Sequence, residues 1–274
     1  MDTLVAAIVM GIVQGLTEFL PVSSSGHLII VPYLLGITDP FITSLEFSVI
    51  LHIGTLFALL IYFRAEWLRL IPAFFQAVRE RSLASDPDRR LAVLLAIATV
   101  PALILGFLLN DIETLIRNPG LVAVTLVIGG AILWLAERAG SRRRLALDLS
   151  FSQALAIGGA QAFALIPGIS RSGISISAGL FAGLQRDEAA RFSFLMATPI
   201  TAAAAAYEVL KVVRGDSVAF SVGPMAAGLV ASFVFGLLAI AVLLRFLRTR
   251  STDVFVYYRV ILAAVVLVTW LSLR

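Results

Sequence analysis

Long runs of apolar residues, separated by short polar stretches rich in arginine, dominate the sequence. Six of these runs approach or exceed the length of about 20 residues that a helix needs to cross a ~30 Å hydrocarbon core. They are Leu45–Phe63, Leu91–Leu109, Leu121–Ala136, Phe192–Val209, Val222–Leu244 and Val254–Leu273. The pattern therefore predicts an all-α polytopic membrane protein with six transmembrane helices.

Each half of the chain begins with an apolar segment that is interrupted too early to form a span. In the first half, the segment is Thr3–Leu20, the break is Pro21–Gly26 and the arm that follows is His27–Gly36. In the second half, the corresponding ranges are Phe151–Ile166, Pro167–Gly173 and Ile174–Leu184. An arm of about ten residues at ~1.5 Å per residue cannot cross the hydrocarbon core. We therefore predict two re-entrant helical hairpins, whose irregular backbone must be shielded by protein or by a wet cavity.

The two interrupted segments also resemble each other residue by residue. When Gln14 is aligned with Gln161, three further pairs coincide: Ser23 with Ser170, Ser25 with Ser172, and Gly26 with Gly173. A duplicated segment broken by proline and glycine, one in each half, indicates an internal repeat with a binding site between the halves. We expect a single membrane domain, 1–274, built from repeats of about 1–145 and 146–274.

Three crossings in each half is an odd number, so the second repeat must be inverted relative to the first. The loops after the first, third and fifth spans carry most of the arginines: Arg64, Arg69, Arg79, Arg81, Arg89, Arg90, Arg138, Arg142, Arg143, Arg144, Arg245, Arg248 and Arg250. The two intervening loops carry only Arg117 in one case, and Lys211 with Arg214 in the other. Arginine-rich loops are cytoplasmic. We therefore expect a bacterial inner-membrane protein with both termini outside.

Composition agrees with this interpretation and excludes other classes. Of the 274 residues, 60% are hydrophobic and 14% are charged, whereas about a quarter are charged in soluble proteins. The chain has no cysteine, which excludes disulfides, thiolate metal sites and cysteine nucleophiles. The net charge of +4 comes mostly from loop arginines that set topology, so we expect no nucleic-acid partner.

Polar residues at the first break have the chemistry of an anion site. Gln14 and Glu18 lie four residues apart and so share one face of a helix. Ser23 and Ser24 follow Pro21 where an N-cap would lie. The arm then begins with free backbone N–H groups and the positive end of a helix dipole, which bind phosphate well.

The second break repeats this arrangement and adds a cation. Ser170, Arg171 and Ser172 lie at the corresponding helix start, and a guanidinium binds phosphate in bidentate fashion. Together the two breaks suit a polyanion at the end of a lipid. A diphosphate next to Glu18 would need a bridging divalent cation, and Mg²⁺ accepts carboxylate and phosphate oxygens.

Structural interpretations stay open for several of these residues. Arg171 could pair with Glu18 as a structural bridge, and His27, one turn after Ser24, could be a core histidine. The serines could have purely structural roles: capping helices, hydrogen-bonding backbone groups left free at the breaks, or allowing close helix packing. These serines are Ser23, Ser25, Ser170, Ser172, Ser175 and Ser177. We favour positions outside the site for mid-span His52, and for Arg259, which should snorkel or pair structurally near a span end.

The residues from Gln14 to His27, together with Pro167–Gly173, resemble the undecaprenyl-diphosphate phosphatase family, also called the bacitracin-resistance proteins. The first stretch matches the family motifs Glu/Gln-x-x-x-Glu and Pro-Val-Ser-Ser-x-Gly-His, and the second matches Pro-Gly-x-Ser-Arg-Ser. The resemblance covers essentially the whole chain. It implies hydrolysis of undecaprenyl diphosphate to the monophosphate carrier of cell-wall synthesis, with bacitracin resistance, and with a divalent cation, Mg²⁺ or alternatively Ca²⁺.

This chain departs from the family pattern at three places. Gln14 replaces the first acid of the Glu-x-x-x-Glu form, and Ser175 replaces a frequent threonine. The Phe-Asp/Glu…Gln pattern at the start of the first span is Phe47-Ser48…His52 here. These changes bear on metal affinity or substrate detail, and they leave the expected class of reaction unchanged.

The resulting hypothesis is a membrane-embedded phosphatase. We expect the catalytic residues to be Glu18, Ser24, His27 and Arg171, with Glu18 as metal ligand or base, and the substrate-binding residues to be Gln14, Ser23, Ser25, Ser170, Ser172 and Ser175. The nucleophile stays open between Ser24, His27 and water. The expected partners are the lipid substrate, membrane lipids and, as an option, a second copy in a homodimer. The alternative function is a polyprenyl-phosphate transporter or flippase, because inverted repeats with broken helices are also transporter architecture.

Overall fold

The computed structural model describes residues 1–84, 86–108, 118–213 and 222–272, and these residues form eleven α-helices without a β-strand. The helices are α1 (Thr3–Phe19), α2 (Ser24–Leu35), α3 (Leu45–Tyr62), α4 (Arg64–Glu80), α5 (Pro87–Leu108), α6 (Pro119–Ala139), α7 (Phe151–Gln161), α8 (Arg171–Phe181), α9 (Arg186–Val213), α10 (Val222–Leu247) and α11 (Asp253–Ser272). Short 3₁₀ turns follow α6 and α7, at Ala146–Asp148 and Ala162–Leu165. The all-α prediction is confirmed.

Six helices of the described part are long and apolar enough to cross a membrane: α3, α5, α6, α9, α10 and α11. They correspond to the six predicted spans, so the protein is a multi-pass membrane protein. α9 begins at Arg186, ahead of the predicted start at Phe192, because Asp187 and Glu188 in its first turn complement the helix dipole. The predicted ends Leu109 and Leu273, and the loop residues Arg117 and Arg214, lie outside the described residues.

The interrupted segments form shorter helices, as the break pattern predicts. α1 has 17 residues and α2 has 12, whereas α7 and α8 have 11 each. Leu20 and Ile166 both have extended backbone, with ψ of 140° and 114°. Each residue precedes a proline, and a following proline disfavours helical geometry. Pro21 therefore accounts for the end of α1, and Pro167 for the end of the 3₁₀ turn that follows α7.

The helix that precedes each break packs closely on a long helix at a glycine. A Cβ added at Gly11 in α1 would collide with the carbonyl oxygen of Gly228 in α10. A Cβ added at Gly158 in α7 would likewise collide with the carbonyl oxygen of Ala98 in α5. Small residues that allow such close approach are typical of helix packing in membranes. These contacts hold α1 and α7 beside the spans and fix where both breaks lie.

Candidate active site

Both breaks have the same unusual backbone geometry at their N-caps. Ser23 has φ 76° and Ser170 has φ 78°, a region that residues other than glycine rarely adopt. Each serine caps the helix that follows: Ser23 Oγ accepts from the Gly26 N–H at 3.3 Å, and Ser170 Oγ accepts from the Gly173 N–H at 3.0 Å. Strained backbone of this kind costs about 1–3 kcal/mol and persists where the surroundings over-determine it.

The two breaks also bond to each other. The Gly168 N–H donates to Ser23 Oγ at 3.1 Å, and Ser172 Oγ donates to the Leu20 carbonyl oxygen at 3.0 Å. Gly168 has φ 96°, and a Cβ there would collide with Thr125. The starts of α2 and α8 are therefore held side by side, so the free N–H groups of both helices lie in one region of the protein.

Arg259 of α11 stabilises this arrangement through hydrogen bonds to backbone carbonyl oxygens. Its side chain is fully buried and donates four hydrogen bonds to backbone carbonyl oxygens, two from Nη2 and one each from Nε and Nη1. The acceptors and distances are Leu126 at 3.0 Å, Pro21 at 3.2 Å, Gly168 at 2.6 Å and Ile169 at 2.8 Å. Of the two roles expected of Arg259, structural pairing is found and snorkelling is not, because the two breaks leave buried carbonyls without helical donors and the guanidinium supplies them.

Glu18 is the centre of the polar cluster. Its carboxylate is buried and accepts hydrogen bonds on one oxygen, Oε2, from Gln14 Nε2 at 2.8 Å and from Ser24 Oγ at 2.6 Å. The other oxygen, Oε1, accepts from Arg171 Nη2. Arg171 also donates from Nη1 to Thr201 Oγ1 of α9 at 2.8 Å. The structure thus brings together four residues predicted for the site, and adds Thr201, which sequence analysis missed.

His52 also reaches Glu18, contrary to the interpretation favoured from sequence. Its Nε2 lies 3.4 Å from Glu18 Oε2, and its Nδ1 lies 2.7 Å from the Ser48 carbonyl oxygen. The reason is that α3 packs against α1 with this face inward. The sequence did contain a signal for this contact: Ser48 and His52 occupy the positions where the family pattern has Asp or Glu and then Gln.

His27 points away from Glu18. It is buried, with Nδ1 2.6 Å from the Ser23 carbonyl oxygen and Nε2 2.7 Å from Tyr258 Oη. The rings of His27 and Tyr258 are stacked, with centroids 5.7 Å apart. His27 was expected to be catalytic, with a core histidine as the alternative, and in the structure its imidazole contacts the Ser23 carbonyl and Tyr258 of α11. Its contacts are those of a residue that positions the break.

The remaining serines bond mainly to backbone and to each other. Ser25 Oγ lies 3.4 Å from Ser23 Oγ, and Ser172 Oγ lies 3.2 Å from Ser170 Oγ. Ser175 Oγ donates to the Arg171 carbonyl oxygen at 2.7 Å and lies 2.6 Å from Ser193 Oγ. Ser177 Oγ donates to the Gly173 carbonyl oxygen at 2.7 Å. Among the serines predicted for the site, Ser24 is the one whose hydroxyl bonds to the Glu18 carboxylate.

A small cavity adjoins this carboxylate between α1, α3, α8 and α9. Its lining combines polar residues of the cluster with apolar ones: Glu18, Phe19, Leu59, Arg171, Ser172, Ser193, Phe194 and Ala197. Its volume is about 10 Å³, close to the space that one water molecule needs, so it marks where the polar cluster meets the apolar packing of these helices.

The donors around Glu18 fit a divalent cation in type. No group of three or more His, Cys, Asp or Glu side chains in the described ranges could hold a metal. Glu18 supplies carboxylate oxygen and His52 supplies an imidazole nitrogen. Gln14 Oε1 is a buried amide oxygen for which the described residues provide no hydrogen-bond partner. Carboxylate, amide oxygen and imidazole are all ordinary ligands of divalent ions.

Comparison with known proteins identifies the family. Residues 7–265 match the family described as Bacitracin resistance protein BacA. The chain belongs to this family. It is 46% identical to the undecaprenyl-diphosphatase of Gemmatimonas aurantiaca over 267 residues, which cover 97% of each chain. It is also 45% identical over 265 residues to the protein of the same name from Rubrobacter xylanophilus, covering 96% of this chain and 97% of the relative.

Proposed function

We propose that this BacA-family protein is an integral-membrane phosphatase that hydrolyses undecaprenyl diphosphate to undecaprenyl phosphate and inorganic phosphate. The observation that carries the proposal is the Glu18 carboxylate, which bonds to Ser24 from the first break and Arg171 from the second. A buried acid, a hydroxyl and a guanidinium at paired helix N-termini have the parts that phosphoryl transfer needs. In cells this activity would recycle the lipid carrier of cell-wall synthesis and so confer bacitracin resistance.

Arg171 and the N–H groups that begin α2 and α8 bind the diphosphate. Arg171 already donates to two acceptors, Glu18 and Thr201, and a phosphate oxygen can replace either one. The guanidinium then stabilises negative charge that develops on the terminal phosphate as the anhydride bond breaks. Thr201 orients the guanidinium from α9, and it acts on the substrate only through Arg171.

Ser24 is the favoured nucleophile because its hydroxyl already donates to Glu18 Oε2 at 2.6 Å. Glu18 takes the proton as Ser24 Oγ attacks the terminal phosphorus, and the P–O bond to undecaprenyl phosphate breaks. Water then attacks the phosphoserine, inorganic phosphate is released, and Glu18 returns its proton to the leaving Ser24 Oγ. If water attacks directly, the same carboxylate is the base and Ser24 orients the water. A divalent cation, Mg²⁺ or Ca²⁺, would neutralise the phosphate oxygens beside Glu18.

His27 is a positioning residue in this scheme. Its contacts with the Ser23 carbonyl and the Tyr258 hydroxyl fix the start of α2, and hence the direction of the Ser24 hydroxyl. This assignment accounts for a buried histidine at the break without giving it contact with the phosphate.

We also propose that the two broken segments are re-entrant hairpins of an inverted repeat, 1–145 and 146–274, with the arginine-rich loops cytoplasmic and both termini outside. The equivalent serines Ser23 and Ser170 share a rare φ, which supports the repeat. Gly11 and Gly158 coincide in the same alignment, and each allows close packing on a long helix. The short arms α2 and α8, with 12 and 11 residues, are too short to span a membrane.

The transporter alternative shares this architecture, so the deciding measurement must exclude transport. Purified protein in detergent, supplied with undecaprenyl diphosphate and Mg²⁺, should release inorganic phosphate, and EDTA should abolish the release. Arg171→Ala protein that elutes as a folded species in size-exclusion chromatography is the control. Binding of the lipid without any release of phosphate would favour a transporter and overturn the proposed function.

A further inference from the structure

Ion pairs place α4 across the start of the neighbouring span α5. Arg69 Nη1, in the first half of α4, lies 3.3 Å from Asp88 Oδ1, and Glu80 Oε2, at the end of α4, lies 2.6 Å from Arg89 Nη1. The two positions on α4 are about three turns apart, yet their partners are adjacent residues in the first turn of α5. A helix that ran antiparallel beside α5 would meet partners that are equally far apart. α4 therefore crosses the start of α5.

The same helix adjoins two further spans at their ends. Glu66 Oε1, in the first turn of α4, lies 3.3 Å from Nη2 of Arg191, which belongs to the second turn of α9. α3 ends at Tyr62, so a single residue separates it from α4. The ends of spans lie at the surface of the hydrocarbon core. Because α4 adjoins the ends of α3, α5 and α9, it lies along one surface of the membrane.

One face of α4 is apolar and turned away from the protein. Its residues follow each other at intervals of three or four, so they share one side of the helix. We call this face the outer stripe: Leu68, Ile71, Phe75 and Val78, which are between 52% and 75% exposed. Another face packs on the protein through Leu70, Ala73 and Ala77. An amphipathic helix that lies along a membrane buries such a stripe among the lipid acyl chains.

The charges of α4 are divided between its faces. Its two acids turn towards the protein, in the ion pairs with α9 and α5. Arg64 precedes Leu68 by four residues and Arg79 follows Phe75 by four, so the two guanidinium groups flank the outer stripe at its ends. Within the described part of the chain, Arg64 forms no ion pair, and the side chain of Arg79, 82% exposed, has a 3.7 Å contact with Glu80. Positive charge therefore borders the apolar stripe.

We propose that the outer stripe, with Arg64 and Arg79, is a binding surface for anionic phospholipids, in which the stripe lies among acyl chains and the guanidinium groups bind lipid phosphates. Long basic side chains beside an apolar surface reach the level of the lipid head groups, where anionic lipids attract them. A guanidinium also binds a phosphate in bidentate fashion. The surface shares no residue with the polar cluster around Glu18, so the inference stands without the proposed reaction.

A second copy of the chain fits the outer stripe less well than lipid does. Two copies related by a two-fold axis would place the same stripe on both sides of the contact. Arg64 of one copy would then lie near Arg79 of the other, and like charges brought together at an interface are costly. An anionic lipid supplies both an apolar tail for the stripe and a negative head for the arginines.

The test uses the whole protein with one cysteine added, since the chain has no native cysteine. Phe75→Cys carries a polarity-sensitive fluorophore, in nanodiscs of phosphatidylcholine that contain a small fraction of phosphatidylglycerol or phosphatidylcholine with a quenching nitroxide on its acyl chain. We expect the phosphatidylglycerol quencher to be at least about threefold more effective at low salt, and the two lipids to become equal at high salt. Leu68→Cys gives the same measurement at the other end of the stripe, should Phe75→Cys not fold.

Matched variants separate the stripe from the rest of α4. A label at Gln76→Cys, on the polar face, should be quenched by iodide from the water and little by either lipid. Arg64→Gln combined with Arg79→Gln should remove the difference between the two lipids. Arg69→Gln is the control, because it removes the same charge from the polar face, where Arg69 pairs with Asp88, and it should leave the difference unchanged.

Three results would overturn the proposal. The first is equal quenching by the two lipids at low salt in folded protein. The second is a label at position 75 that iodide quenches and the lipids do not, which would show a stripe that faces water and is open to a soluble partner. The third is a disulfide between two Phe75→Cys chains in place of lipid quenching, which would assign the stripe to a second copy.

Discussion

Ser23 and Gly168 are joined by a hydrogen bond between the two broken segments, with the Gly168 N–H donating to Ser23 Oγ at 3.1 Å. The same hydroxyl oxygen caps α2 by accepting from the Gly26 N–H. One side-chain atom therefore sets the start of α2 and anchors the turn that precedes α8. The geometry of each half of the site depends on the other half.

Two substitutions at Ser23 distinguish the effect of its hydroxyl on stability from the effect of its strained backbone. Ser23→Ala loses both hydrogen bonds and keeps a Cβ at positive φ, whereas Ser23→Gly loses the bonds but relieves the strain. Loss of a cap and of a buried N–H partner costs about 2 kcal/mol. We expect the thermal unfolding midpoint to fall in the order wild type, Ser23→Gly, Ser23→Ala, by about 4–8 °C for the alanine variant. A midpoint for Ser23→Gly below that of Ser23→Ala would contradict the strain argument.

Arg259 should be as important to stability as to activity. Arg259→Met removes all four donors and leaves the carbonyls of Pro21, Leu126, Gly168 and Ile169 without them. We expect a loss of more than about 3 kcal/mol, and little folded protein after solubilisation. Arg259→Lys keeps the charge but has three donors in place of a planar fork, so it should be intermediate. Size-exclusion profiles and unfolding midpoints measure the effect, and wild-type values for Arg259→Met would show that the carbonyls find other donors.

Hydropathy and break chemistry predicted much of this architecture, because both are local properties of the chain. The six spans follow from apolar run length, and the cluster of Gln14, Glu18 and Ser24 follows from one helix face and one N-cap. His52, Thr201 and Arg259 were missed or misassigned for a different reason. Each comes from a separate long helix, and its role depends on which face of that helix packs against the breaks, which hydropathy alone does not specify.

Arg171→Lys should lose most phosphatase activity although it keeps the positive charge. The guanidinium donates from Nη1 to Thr201 and from Nη2 to Glu18, and an ammonium group cannot reproduce this fork. We expect a fall of at least about 100-fold in kcat/KM, with Arg171→Ala lower still and Thr201→Val, which removes only the orienting acceptor, less affected. Phosphate release in detergent measures the series. Near-normal turnover in folded Arg171→Ala would remove the anchor from the proposed site.

Glu18→Gln tests the charge of the central carboxylate, since it preserves size and most hydrogen-bonding capacity. As base or metal ligand, the charged form is required, so activity should fall by orders of magnitude while the protein stays folded. Gln14→Glu should be tolerated and should increase cation affinity, because it adds a carboxylate beside Glu18 Oε2. The measurements are phosphate release and calcium or manganese dependence. Wild-type turnover by Glu18→Gln would move the site elsewhere, with Glu46 the next candidate.

Cysteine labelling tests the proposed orientation directly, since the chain has no native cysteine. Thr38 lies between α2 and α3 and Arg81 follows α4, and both are exposed. If the arginine-rich loops are cytoplasmic, an impermeant thiol reagent added to intact cells should label Thr38→Cys and leave Arg81→Cys unlabelled. Permeabilised cells should label both, which controls for accessibility. Labelling of Arg81→Cys with protection of Thr38→Cys would reverse the topology, and with it the face from which each hairpin enters the membrane.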